Sequence, residues 1–351
     1  MKIVVQKFGG TSIRTIEGFK KAKTHIEMEL KLNHKVVCVV SAMGRYGDPY
    51  ATDTLKNLIK NNVSKKEQDR LLSLGEIITS VVFTDYLLEE GIRATSLSVK
   101  ETGIITNNNF TNADIIRIDK RVILQKLLQH DVVVVPGFQG LTVDYEVATL
   151  GRGGSDTTAI ALGIALNADR VDIVSDVLGV FTVDPRIVPE AVKIPKLNYD
   201  VLVDMTQNGS RVLHVKGAVM AKNHRLKLRF VGIDNYNSFT EVEDSEVIVT
   251  NLSYKNDFIR YEILGDESLL NIKGQDEIYR DNDYYYVHQD QEVKLVKLLN
   301  EAKLAYKRFS GFSKIALIKY DSTKEITHFF VETNHVKEKL RELHQLHVLK
   351  G

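Results

Sequence analysis

Apolar positions in the first 250 residues alternate between two patterns. Short, nearly continuous β-branched runs at 2–6, 35–41, 92–98, 131–136, 169–175 and 226–232 predict strands. Between them, helical spacing predicts helices at 15–32, 53–60, 65–90, 118–129, 156–167, 199–208 and 215–224. Such alternation favours an α/β fold, a mainly parallel sheet covered by helices on both faces. The clearest helix, 65–90, opens with a capping-box pattern at Ser64 and Glu67, carries Leu71, Leu74, Ile78 and Val82 at helical spacing, and stops at Gly91.

The pattern changes near residue 250. The last 101 residues hold 13 of the 27 Phe and Tyr but only 4 of the 22 Gly, and no Pro follows Pro195. A boundary between 245 and 257 therefore divides the chain into domains at 1–250 and 257–351. The tail predicts strands near 258–263, 268–272, 283–288, 304–308, 313–319 and 326–331, with helices near 290–302 and 334–346, an α+β pattern. A length of 351 residues suits two domains, and 43% hydrophobic residues supply a substantial core.

Lys and Arg number 47 against 46 Asp and Glu, so no global attraction to nucleic acid or to a membrane surface is implied. The single Cys38 lies in an apolar run and has no intramolecular disulfide partner. The short apolar start does not read as a signal peptide, and no stretch reaches the roughly 18 uncharged residues of a membrane span. These features point to a cytoplasmic protein.

Candidate chemistry is concentrated in four clusters. Lys7-Phe8-Gly9-Gly10-Thr11-Ser12 joins the first strand to a helix. Its glycines allow backbone amides close to an anion, the helix adds its positive end, and Lys7 adds a charge; the alternative is a plain turn. Thr149-Leu150-Gly151-Arg152-Gly153-Gly154-Ser155-Asp156 again leads into a helix. Arg152 offers a fork for a carboxylate, while Asp156 is placed either to cap the helix or to orient a lysine. Glu76, in Ser73-Leu74-Gly75-Glu76, joins Ser73, Thr79 and Ser80 in a polar stripe, which either faces solvent or awaits a cation. In Ser175-Asp176 to Asp184-Pro185-Arg186, Phe181 either covers a nucleobase or packs in the core.

Together these clusters resemble aspartate kinases of the amino-acid kinase family over roughly residues 1–235. The family's K-F-G-G-T-S is Lys7–Ser12, its S-A-M-G is Ser41–Gly44 followed by Thr52-Asp53, and its S-x-G-E is Ser73–Glu76. Its G-F-x-G is Gly137–Gly140, its T-L-G-R-G-G-S-D is Thr149–Asp156, and its D-V-x-G-x-x-T-x-D-P-R is Asp176–Arg186, in the family's order.

The resemblance implies a three-layer αβα sandwich and MgATP-dependent phosphorylation of the side-chain carboxylate of L-aspartate. Lys7, Phe8, Gly9 and Gly10 would hold ATP phosphates, with Asp156 positioning Lys7. Ser175, Asp176, Phe181, Arg186 and Arg211 would line the nucleotide site. Arg152, Gly153, Gly154 and Ser155 would take the α-carboxylate and Glu76 the ammonium group, with Ser41, Thr52, Phe138 and Thr149 completing the pocket. A carboxylate nucleophile is already ionised at neutral pH and needs no general base, and no dedicated metal-ligand cluster is apparent, as expected where nucleotide phosphates hold Mg²⁺.

The chain departs from the family pattern in two places. Phe181 stands where Tyr is usual, and Gly209-Ser210-Arg211-Val212-Leu213-His214-Val215-Lys216 replaces the usual G-A-K-V-L-H-P-R. A catalytically weakened regulatory or binding subunit is therefore the alternative to an active kinase. The tail would hold one ACT-like module where the family usually has two, implying a homodimer through the C-terminal domain and weak or absent feedback inhibition.

Overall fold

All six strands expected in the first 250 residues occur in the computed structural model, which describes residues 1–349 apart from Asn61, Lys273 and Ser322. The elements run β1 (Ile3–Phe8), α1 (Ile16–Lys31), β2 (Lys35–Val40), α2 (Thr52–Lys56), α3 (Lys65–Leu72), α4 (Leu74–Glu89) and β3 (Ala94–Ser96). There follow β4 (Ile104–Thr106), β5 (Ile115–Ile118), α5 (Arg121–Gln129), β6 (Val132–Pro136), β7 (Gln139–Leu141), β8 (Val147–Thr149), α6 (Gly154–Leu166) and β9 (Arg170–Ser175).

One eight-stranded sheet has the order Lys196–Leu197, Asn235–Val242, Leu228–Gly232, β9, β1, β2, β6, β3. Every neighbouring pair is parallel except Leu228–Gly232 with Asn235–Val242. Val36, Cys38, Val40, Val132 and Val134 pack with α1 and α4 on one face. The intervening Val37, Val39, Val133 and Val135 are equally buried on the other, where α5 and α6 lie. This double cover explains why these strands read as continuous apolar runs, and it gives the expected three-layer α/β architecture. Burial also pushes the Cys38 thiol pKa up, as an inert core residue requires.

Helix 65–90 forms as α3 and α4, meeting at Ser73. Ser64 caps α3 by accepting from Glu67 N at 3.2 Å. By length and composition the Lys65–Glu89 rod would pass as a membrane span, and half of its apolar window is buried inside the fold. A four-stranded sheet of order β5-β4-β7-β8 was not expected, because its three- and four-residue strands carry almost no periodicity.

The division into domains differs from a single boundary near 250. One compact unit comprises 1–180, 194–203 and 211–246; the other comprises 181–193, 204–210 and 247–351. The cause is apolar packing. Val183 and Val188 share a core with Leu252, Ile315, Leu317 and Leu340, and Leu252 N donates to Thr182 O at 2.7 Å.

The second unit is α+β, as expected. Its antiparallel sheet has the order Ile278–Asp281, Tyr284–His288, Val249–Leu264, Ala305–Tyr320, Lys324–Glu332, with helices Glu292–Glu301 and Val336–His344. The strands expected at 304–308 and 313–319 are one 16-residue strand. Gly311, at φ +88°, and Asp257, at +64°, lie where the register slips, so the apparent break is a bulge rather than a turn. The strand expected at 268–272 is absent; a 3₁₀ turn, Glu267–Leu269, stands there, capped by Asp266.

Candidate active site

Lys7 owes its position to strand alternation. It lies opposite Val39 of β2 and Ile173 of β9, on the face that α6 covers, whereas Gln6 and Phe8 point to the α1 face. Asp156 occupies the first turn of α6, and its Oδ1 meets Lys7 Nζ at 2.7 Å, with both side chains largely buried. Lys7 is therefore oriented by a carboxylate at the end of β1. The Phe8 ring is fully buried against Phe83 and His25, so only its backbone faces the glycine turn.

Ser12 N donates to Gly9 O at 2.9 Å, closing a turn, and a Cβ on Gly9 would lie 3.6 Å from Lys7 Nζ. A Cβ on Gly10 would come 2.2 Å from Ala42 O, while Gly44 N donates to Gly10 O at 2.9 Å. Only glycine permits this approach of the loops after β1 and β2. Helix α1 begins at Ile16 behind the Thr15 cap, as the expected 15–32 implies, so the amides nearest Gly9 and Gly10 are those of the turn rather than of the helix.

Glu76 faces inward. Its Oε1 accepts from Ala42 N at 3.0 Å, Thr79 Oγ1 accepts from Met43 N at 3.0 Å, and Oε2 is buried without a partner. Burial pushes the carboxyl pKa up to about 8, against smaller opposing effects from Ala42 N–H and Lys7. Gly75 makes the packing possible, since a Cβ there would stand 2.6 Å from Ala42 Cβ and Tyr50 O. Ser41 and Thr52 are half-buried on the same stretch, at the end of β2 and the start of α2. An unpartnered buried carboxylate oxygen is the feature of the site best suited to receive a cation.

The loop from Thr149 to α6 turns on Gly151 and Gly153, at φ +74° and +70°, and leaves Arg152 between them exposed. Gly154 and Ser155 are buried; a Cβ on Gly154 would meet Phe138 Cδ2 at 2.8 Å, and one on Gly137 would meet Ser155 Cβ at 2.9 Å. Phe138 itself holds φ +74°, its N–H bonded to Thr158 Oγ1 at 3.1 Å. Thr149, expected in the pocket, is buried and donates its hydroxyl to Asp69. His214 caps the helix Val215–His224 and packs against Gly153, while Lys216 pairs with Asp114 at 2.8 Å. Both have structural roles in the segment that departs from the family pattern.

Ser175 ends β9 and Asp176 follows, paired with Arg45 Nη2 at 3.2 Å. Because β1 lies between β2 and β9, this ion pair joins the loops on either side of the Lys7 turn. Arg211 is exposed in the first unit; Phe181 and Arg186 belong to the second, where Phe181 O accepts from Asn251 Nδ2 at 3.1 Å and Arg186 pairs with Asp184 at 2.8 Å. Asp69 and Arg45 escaped the sequence reading. Asp69 lies seven residues before Glu76, hence two helical turns away on the same face, and that spacing was the available signal.

Lys7, the glycine turns and the buried Glu76 thus gather at the strand ends of one parallel sheet. The chain belongs to the amino acid kinase family, which residues 2–232 match. Its relatives within that family include aspartokinase 1 of Bacillus subtilis, 46% identical over 232 residues, and the aspartokinase of Geobacillus stearothermophilus, 40% identical over 278. These alignments cover 65% and 77% of this chain, and the chain spans 57% and 67% of the two relatives' lengths. E. coli aspartokinase III, solved with aspartate and ADP, matches with a TM-score of 0.75 over 98% of this chain and 99% of that one; at 20% identity the likeness concerns the fold.

Proposed function

We propose that the protein is an aspartate kinase, transferring the γ-phosphoryl group of ATP to the side-chain carboxylate of L-aspartate. The observation that carries this reading is the buried, half-satisfied Glu76, near enough to Lys7 to feel its charge and facing the loop after β2. Glu76 receives the substrate ammonium, Arg152 with the amides of Gly153 to Ser155 receives the α-carboxylate, and Ser41, Thr52 and Phe138 flank the acceptor. Lys7, held by Asp156, meets the phosphates over Gly9 and Gly10, and Ser175, Asp176 and Arg211 face the nucleotide.

A side-chain carboxylate oxygen attacks the γ-phosphorus, a bond to it forms, and the bond to the bridging oxygen breaks, releasing ADP. No proton leaves the nucleophile, so no base is needed; Lys7 and the turn amides stabilise the charge on the transferring group. Mg²⁺ supplies further neutralisation when bound. Such an ion would be held chiefly by the nucleotide phosphates and water. The second unit serves as an ACT-like homodimerisation module, and the enzyme is cytoplasmic. Aspartate-dependent ADP release, with hydroxylamine trapping of the acyl phosphate, tests the activity; equal rates with and without aspartate would refute it.

A further inference from the structure

Asp69 is completely buried, and the groups bonded to its carboxylate are neutral donors. Its Oδ2 accepts from Thr111 N and Thr149 N, both at 2.8 Å, and its Oδ1 from Thr149 Oγ1 at 2.7 Å. A carboxylate surrounded by neutral donors carries a desolvation cost, which raises its pKa against those hydrogen bonds. What the arrangement gains is geometric. Two of the partners are backbone N–H groups that converge on Oδ2 and can only donate, and the Thr149 hydroxyl holds Oδ1, so the carboxylate ties both segments at once.

The two segments it joins flank the Arg152 turn. A Cβ on Gly151 would lie 2.9 Å from Asn112 Oδ1 and 3.1 Å from Thr111 O, so the 111–112 turn is the floor on which Gly151 rests. Thr111 has φ +71°, an uncommon conformation for a β-branched residue, and its N–H is the one Asp69 holds. Lys216 Nζ reaches Asn112 Oδ1 at 3.2 Å and steadies that turn from the other side.

We infer that Asp69 is a positioning residue, fixing the Arg152 loop relative to Glu76 so that one α-carbon is gripped by both. The inference rests on the aspartate kinase reading. Asp69 and Glu76 stand on the same α3–α4 rod, about 10 Å apart by helical rise. The carboxylate and ammonium of an amino acid share a single carbon, so small errors between their receptors weaken binding sharply.

The test compares ligands that lack one of those two groups. In the full-length Asp69→Asn protein, the KM for L-aspartate should rise about ten- to hundredfold, while the KM for ATP stays within about twofold. Calorimetric binding of succinate, which keeps both carboxylates and lacks the ammonium, should weaken to a similar extent. Binding of β-alanine, which lacks the α-carboxylate, should be unchanged. Loss in Asp69→Asn and Arg152→Ala combined should be less than the product of the single losses. Equal weakening of ATP and aspartate, or of β-alanine and succinate, would overturn the inference. If Asp69→Asn does not fold, Thr149→Val must show the same ligand selectivity at smaller size, and its failure to do so overturns the inference equally. Absence of turnover in the unaltered protein refutes the kinase reading, whereas the binding arms still judge Asp69.

Discussion

Glu76 in the first unit and Lys314 in the second are each 2% exposed, and burial brings both to a pKa of about 8 from opposite directions. Their surroundings differ. Lys314 Nζ donates to Asn208 Oδ1 at 2.9 Å and Tyr279 OH at 3.0 Å, and lies 4.5 Å from the Tyr279 ring centroid. Glu76 has one oxygen bonded and one bare. The lysine's environment completes a packed aromatic layer, whereas the glutamate's leaves a position open at the strand ends of a parallel sheet. A buried charge therefore marks a binding site when part of it lacks a partner, not simply because it is buried.

Breaking the first unit's site should give the largest effect. Replacing Lys7 with Ala should lower kcat by about 10²–10³-fold or more, measured as ADP release, with the circular dichroism of the fold retained. Next, Glu76→Gln keeps the shape but cannot ionise to meet the ammonium group, and should raise the KM for L-aspartate about tenfold to a hundredfold with the KM for ATP little changed.

Smaller effects concern pH and sharpen the contrast. For Glu76 the folded pKa lies above the ordinary value of 4.5, so its contribution to stability is full below that value and is lost as pH rises to about 8. For Lys314 the folded pKa lies below 10.5, so the unfolded chain binds more protons between about 8 and 10.5 and stability recovers over that range. Thermal melts across pH should show the falling limb flattened in Glu76→Gln and the rising limb flattened in Lys314→Met. Smallest of all, Lys314→Met should leave the KM for aspartate unchanged, and a rise in it would tie the aromatic layer to catalysis.

The sheet of the first unit was readable because doubly buried strands are apolar at every position, and because capped, periodic helices join them. The small β4–β5–β7–β8 sheet was not, since segments such as Ile104–Thr106 are too short to show a period. The membership of 181–193 in the second unit was also hidden. Val183 and Val188 look like any core valines, and only their packing with Leu252 and Leu340 reveals which core they fill. Within the site, glycine turns and Arg152 stood out as residue types with few other uses. Asp69 did not, because an Asp among Lys65, Lys66, Glu67 and Arg70 looks like part of a solvated helix face. The bond from the Thr149 hydroxyl to Asp69 was equally hidden, because the two residues lie 80 positions apart.

On the proposed reading Glu76, whose carboxyl pKa burial pushes up to about 8, receives the ammonium group of aspartate. Titrating L-aspartate into the ADP-bound protein at pH 7, in buffers of differing ionisation enthalpy, counts the protons exchanged on binding. With a carboxyl pKa of about 8, binding of the cation should release close to one proton from the unaltered protein, and none from Glu76→Gln. Proton release that is absent in the unaltered protein, or persists at full size in Glu76→Gln, would contradict the account.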